Sequence, residues 1–178
     1  MIILVGPSAS GKSEICKTLC FKFNFNKFIT TTTRCIRVNE INGVDYHFIS
    51  KDEFLKKIKE NKFIEYVEYN GNYYGTEKNN ISDNTVLIIE PNGLKEFKKL
   101  NDPSIISFYL NCKKETRKER MLSRLDKLED IEKRLEIDET KFNYNSIKEY
   151  VDYLIDTDND TVIDLASKIN EIYRKRIG

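Results

Sequence analysis

The chain has 178 residues, with 30 Lys and Arg against 29 Asp and Glu, 39% hydrophobic residues, and only 7 Gly and 3 Pro. This length suits one domain with a sizeable core, and the composition contains no disordered or low-complexity stretch. The near-balance of charge excludes a basic field that would recruit nucleic acid or an anionic membrane, so any anionic ligand must be held by locally placed Arg and Lys.

The chain opens on Ile2-Ile3-Leu4-Val5, a short apolar run ended by Gly6, which predicts a buried parallel strand. That run is too short for a signal or a span, and no later stretch reaches about 18 apolar residues, so a soluble, cytoplasmic protein without a membrane partner is expected. Gly6-Pro7-Ser8-Ala9-Ser10-Gly11-Lys12-Ser13 follows and fits G-x-x-x-x-G-K-[ST]. Helical spacing of Ile15, Cys16, Leu19 and Cys20 comes next, so the motif lies between a strand and a helix, as its mechanism demands. Glycines there let the backbone wrap phosphate oxygens, and the helix N-terminus adds positive potential. Lys12 would reach the β- and γ-phosphates of a nucleotide, and the Ser13 hydroxyl would bind Mg²⁺. The loop predicts nucleotide binding alone, since GTPases, ATPases and small-molecule kinases share it.

Residues 28–49 are rich in Thr, Arg and aromatics and carry the turn signal Asn42-Gly43, which predicts short strands. Ser50-Lys51-Asp52-Glu53 reads as a capping box for a helix reaching about Glu60. A strand over Phe63–Tyr69 turns at Asn70-Gly71 into Tyr73-Tyr74-Gly75. A strand over Thr85–Glu90, a helix over Gly93–Leu100 and a strand over Ser104–Leu110 follow. Charged helices are expected at about 113–125 and 128–148, then a short strand at Tyr153–Ile155. A closing helix is striped by Val162, Leu165, Ile169 and Ile172. Strands alternating with helices imply an α/β fold with a parallel core sheet, and the 28–76 segment breaks the rhythm as an insertion. The four cysteines show no zinc-type spacing and read as buried free thiols. His47 is the only histidine, which excludes a His-based triad or a multi-His metal site and leaves a structural or rim role.

Two arginines, Arg34 and Arg37, followed by Tyr46, could fork a phosphate monoester through planar paired donors and a neutral hydroxyl. Glu65 and the run Gly71-Asn72-Tyr73-Tyr74-Gly75-Thr76 lie further on. Taken singly, the arginines read equally as surface charges, Glu65 as an exposed strand residue and Tyr74 as a core aromatic. Together, and downstream of the phosphate loop, they follow T-T-R-x-x-R-x-x-E-x-x-G-x-x-Y-x-F, F-x-E and G-N-Y-Y-G-[ST] in order and at matching spacing. On these motifs the chain resembles the guanylate kinase family, closely over about residues 2–137 and loosely beyond. The resemblance implies a phosphate-loop NTPase fold and Mg²⁺-dependent transfer of the ATP γ-phosphoryl group to GMP, with dGMP as a further acceptor, in a monomer or homodimer. It implies a core at about 1–32, 81–119 and 141–178, a GMP-binding insertion at about 33–80 and a lid at about 120–140. Arg34, Arg37, Tyr46 and Tyr74 would then bind the GMP phosphate, and Glu65, Thr30 and Thr76 would read guanine. Arg120, Arg124 and Arg134 would be the lid arginines that embrace the transferring phosphates.

Three departures from the family pattern stand out. Ile88 replaces the first of two acids after the insertion, leaving Glu90 to contact either the guanine amino group or water around Mg²⁺. Ser123-Arg124-Leu125 stands where the family often has Gly-Arg-Gly, with Arg134 one residue nearer than usual. Asp156-Thr157-Asp158 replaces a Val-Asn-Asp type run bordering the adenine. The competing readings are a phosphate-loop kinase with another phosphorylated acceptor, a non-catalytic interaction domain of the same family, and a regulatory GTPase.

Overall fold

The structure is a computed structural model that describes every residue except Asn39, Asn70, Asn79 and Asn80, and the backbone only of Tyr69. In chain order the elements are β1 (Ile2–Val5), α1 (Lys12–Phe23), β2 (Asn26–Lys27), β3 (Thr31–Thr32), β4 (His47–Phe48) and α2 (Lys51–Lys59). They continue with β5 (Phe63–Tyr69), β6 (Asn72–Glu77), β7 (Thr85–Ile88), α3 (Pro91–Lys98) and β8 (Ile106–Asn111). The chain ends with α4 (Lys114–Ser123), α5 (Leu128–Lys141), two single 3₁₀ turns, β9 (Tyr153–Asp156) and α6 (Val162–Ile177). It divides into two compact units, one made of Met1–Lys27 with Asp83–Gly178 and the other of Phe28–Ser82.

The larger unit is built on a parallel sheet in the order β2-β7-β1-β8-β9. Ile2 lies level with Val86 on one side and Ile106 on the other. A central parallel strand is covered on both faces, which is why β1 is an unbroken apolar run with every residue buried. Helices α1 and α6 supply Ile15, Leu19, Leu165, Ala166, Ile169 and Tyr173 to the core against Leu4, Phe108 and Ile155. The buried stripe of α6 therefore starts one turn later than expected. Val162 is exposed because Thr161 caps the helix and the whole first turn faces outward.

Other boundaries moved for local reasons. The predicted helix over 128–148 stops at Lys141, where Asn143 takes the Asn145 N–H on its own side chain and starts a turn. The strand expected to reach Glu90 ends at Ile88, and Pro91 then opens α3 with Glu90 as its N-cap. α2 has the predicted capping box, with Ser50 and Glu53 exchanging side-chain and backbone bonds.

The smaller unit holds a sheet in the order β4-β3-β6-β5, with β5, β6 and β3 antiparallel and β4 parallel to β3. The predicted turn at Asn70-Gly71 lies partly outside the described residues. Phe54 of α2 is fully buried and stacks on Phe63 and Tyr73 at centroid distances of 4.3 and 5.4 Å. Gly75 backs directly onto these rings: a Cβ there would lie 2.8 Å from Phe63 Cδ1 and 2.9 Å from Phe54 Cζ. Gly75→Ala is therefore expected to overpack this small core and cost about 1–3 kcal/mol. Urea unfolding would show it as a lower midpoint, and an unchanged midpoint would contradict the packing described.

Candidate active site

Gly6–Gly11 forms the bridge from β1 to α1, and Lys12 and Ser13 open the helix. Gly6 is required by close approach, since a Cβ there would sit 2.6 Å from the Leu110 carbonyl oxygen of β8. Gly11 caps α1 in the left-handed region at φ 97°. Lys12 Nζ folds back and donates to the Gly6 and Pro7 carbonyls, each at 2.6 Å. Burial lowers its pKa to about 8, against the pull of the Asp138 carboxylate in the opposite direction. Ser13 is exposed in the first turn of α1, its hydroxyl without a protein partner among the described residues.

Ser8, Lys12, Ile88, Glu90, Arg134, Asp138, Lys141 and Phe142 line a cavity of about 400 Å³ within the larger unit. Ile88 thus faces the same cavity as the lysine, at the position where the family pattern has an acid. Glu90 is exposed and paired with Lys141 at 2.6 Å. The lid-type arginines occupy three different settings. Arg134 lines the cavity and reaches Asp126 at 3.1 Å. Arg120 bonds the Ala9 carbonyl at 3.2 Å and the Thr157 carbonyl at 2.5 Å, tying the loop to the end of β9. Arg124 is exposed at the C-cap of α4 and does not line the cavity.

In the smaller unit, Arg34 is held by Glu40 in a two-bonded fork, NH2 to Oε1 at 2.7 Å and NH1 to Oε2 at 3.0 Å. The same carboxylate accepts the Arg37 N–H at 2.9 Å. The Arg34 guanidinium holds the Glu40 carboxyl below its usual range. Arg34 also lies 5.6 Å from the ring centre of Tyr46, and Tyr46 meets Tyr74 edge-on at 6.2 Å. Burial pushes the Tyr46 hydroxyl pKa up, so it stays a neutral donor. Arg37 is exposed beside this group.

Antiparallel register builds the second half. Glu65 of β5 pairs with Thr76 of β6, and the Thr76 hydroxyl donates to Glu65 Oε1 at 2.5 Å. Thr31 pairs with Gly75, which puts Thr30 level with Thr76 in the next strand. Tyr74 lies two residues from Thr76 and so on the same face, about 7 Å along the strand. One face of one sheet therefore carries a carboxylate with hydroxyls at one end and an Arg–Tyr cluster at the other.

The place of Glu40 three residues after Arg37 is the only sequence signal of its part in this group. Glu77, a buried carboxylate bonded by Thr31 and Lys57, each at 2.6 Å, lies in none of the motifs. Burial raises the Glu77 pKa, but these two donors outweigh it and leave it lowered. The thiols are all free, yet only Cys16 and Cys112 are buried. Cys35 is exposed, contrary to expectation, because it lies in the irregular segment after β3 with no apolar face to join. His47 is half-buried in β4, outside the cavity. Among the described residues no cluster of three or more metal-ligating side chains exists, and no helix is long and apolar enough to cross a membrane.

A guanylate kinase family model matches residues 1–175. The guanylate kinases of Clostridium tetani and Clostridium acetobutylicum are each 35% identical over 97% of this chain, which covers 84% and 83% of their lengths. The crystal structure of guanylate kinase from Anaplasma phagocytophilum superposes with a TM-score of 0.69 at 25% identity, over 100% of this chain and 86% of that one. The chain belongs to the guanylate kinase family.

Proposed function

We propose that this chain transfers the γ-phosphoryl group of ATP to GMP, giving ADP and GDP, as a cytoplasmic monomer or homodimer. The observation that carries this reading is the single sheet face presenting Glu65 with Thr76 at one end and Arg34, Tyr46 and Tyr74 at the other. Guanine offers N1–H and N2–H₂ side by side, which a carboxylate accepts together, and its O6 takes a hydroxyl donor such as Thr30. Thr76 already orients the Glu65 carboxylate before any base arrives. A phosphate monoester suits Arg34 and Arg37, the former pre-aimed by Glu40. The base and the phosphate are shared by dGMP, which is expected as a second acceptor.

The phosphate loop would hold the ATP phosphates, with Lys12 moving from the Gly6 and Pro7 carbonyls to phosphate oxygens. Arg120, Arg124 and Arg134 would add positive charge as the phosphoryl group transfers. The division into core, insertion and lid follows the same reading, with α4 and α5 as the lid-bearing helices. Mg²⁺ fits the loop, because the exposed Ser13 hydroxyl is an oxygen donor of the kind this ion takes alongside phosphates and water. Its chemistry is to neutralise charge on the phosphate oxygens. Purified protein given ATP, GMP and Mg²⁺ should form ADP and GDP in equal amounts, followed by ³¹P NMR. Excess EDTA should stop product formation, and undiminished turnover in EDTA would remove the metal from the account.

A further inference from the structure

Helix α4 carries Arg117 and helix α5 carries Asp138, and the two meet at 3.0 Å with each side chain only 6% exposed. Arg117 lies one turn before Met121, and Asp138 lies on the face marked by Ile131 and Leu135. Both charges therefore occupy apolar helix faces, beside a cluster of Met121, Ile131 and Leu135 against which Ala9 packs. Buried pairs of this kind are poor stabilisers, and apolar residues of equal volume generally hold two helices together as well. The contact is also not optimised, since Arg117 Nε is buried without a partner among the described residues.

What the pair touches is the phosphate loop. Asp138 Oδ2, the oxygen that meets Arg117, also accepts the Ser8 backbone N–H at 2.7 Å. The next residue, Ala9, sits in the left-handed region at φ 60°, where a non-glycine residue stays only when its surroundings hold it. Its neighbours do so from three sides: Asp138 on the preceding amide, the α4–α5 cluster on the methyl group, and Arg120 on the carbonyl. Asp138 further lines the cavity that contains Lys12 and Arg134.

We propose that Arg117 and Asp138 are positioning residues for the donor phosphates: Asp138 fixes the Pro7–Ser8 peptide of the phosphate loop through the Ser8 N–H, and Arg117 cancels the negative charge that Asp138 would otherwise present to polyphosphate. This rests on the reading of the loop as the ATP site and assigns residues for which the family motifs gave no role.

The test is steady-state kinetics with ATP and GMP varied separately, together with thermal unfolding. Arg117→Met leaves an uncompensated carboxylate beside the loop and is expected to raise the KM for ATP about tenfold or more, with the KM for GMP within about twofold of the parent. Arg117→Met/Asp138→Asn keeps an acceptor for the Ser8 amide without the charge, and should return the KM for ATP to within about threefold. Arg117→Met/Asp138→Leu has no acceptor and should leave it raised. If Arg117→Met does not fold, the two double variants, which bury no charge, carry the comparison. Equal ATP KM values in both, at the parental level, with changes in unfolding temperature alone, would overturn the proposal. A parent that releases no ADP with GMP would instead overturn the reading of the loop itself.

Discussion

Lys12→Ala is expected to lower kcat by about 10³- to 10⁵-fold, the range seen when a cation acting mainly on the transferring phosphoryl group is removed. The lysine is the loop's own charge, lies in the cavity with Arg134, and is already desolvated, so its attraction to phosphate is little screened. Because Nζ also closes on the Gly6 and Pro7 carbonyls, the alanine variant loses a loop contact as well as a charge. Lys12→Met, which retains the stem, separates the two effects and should be nearly as inactive. GMP affinity, measured by titration calorimetry, should be close to that of the parent in both variants, since of the residues assigned to GMP all but Glu90 lie in the unit formed by Phe28–Ser82. Turnover near the parental rate would mean that the loop does not take part in transfer.

Glu65→Gln is expected to have the largest effect on acceptor choice. The amide retains one oxygen to accept from guanine or from Thr76, but turns an NH₂ group toward a second donor. Each charge-assisted bond lost costs about 1.5–3 kcal/mol, so kcat/KM for GMP should fall by roughly 10- to 150-fold. Adenine places an acceptor at N1 and has no 2-amino group, so AMP gains relative to GMP in this variant. ATP binding should be unaffected. A variant that keeps the full preference for GMP would move base reading to Thr30, Thr76 and Glu90.

What was legible in the sequence was local or fixed by spacing. The phosphate loop needed only eight consecutive residues between a strand and a helix, and Ser50 with Glu53 marked the start of α2 within four. Glu65 and Thr76 lie eleven apart, but the hairpin between them makes their pairing a matter of register. The contacts that escaped were those closed by tertiary packing. Nothing near Ser8 announces that its amide binds a carboxylate 130 positions later. The signal for that pair was a charge on the apolar face of each of two helices, visible at Arg117 beside Met121 and at Asp138 beside Leu135. It reads as solvated surface until both helices are placed. Arg120 is a similar case: the family resemblance implies a lid arginine there, and its bonds to the Ala9 and Thr157 carbonyls are closed by residues 111 and 37 positions away.

Guanine reading by a carboxylate, in a chain that phosphorylates nucleoside monophosphates, is tested most directly by coupled ADP release with GMP, AMP, CMP and UMP as acceptors at fixed ATP and Mg²⁺. The predicted result is a kcat/KM for GMP about 10⁴-fold above that for AMP, the discrimination that a buried hydrogen-bonding site gives against a mismatched partner. Comparable rates with AMP, or a higher rate with either pyrimidine nucleotide than with GMP, would contradict it.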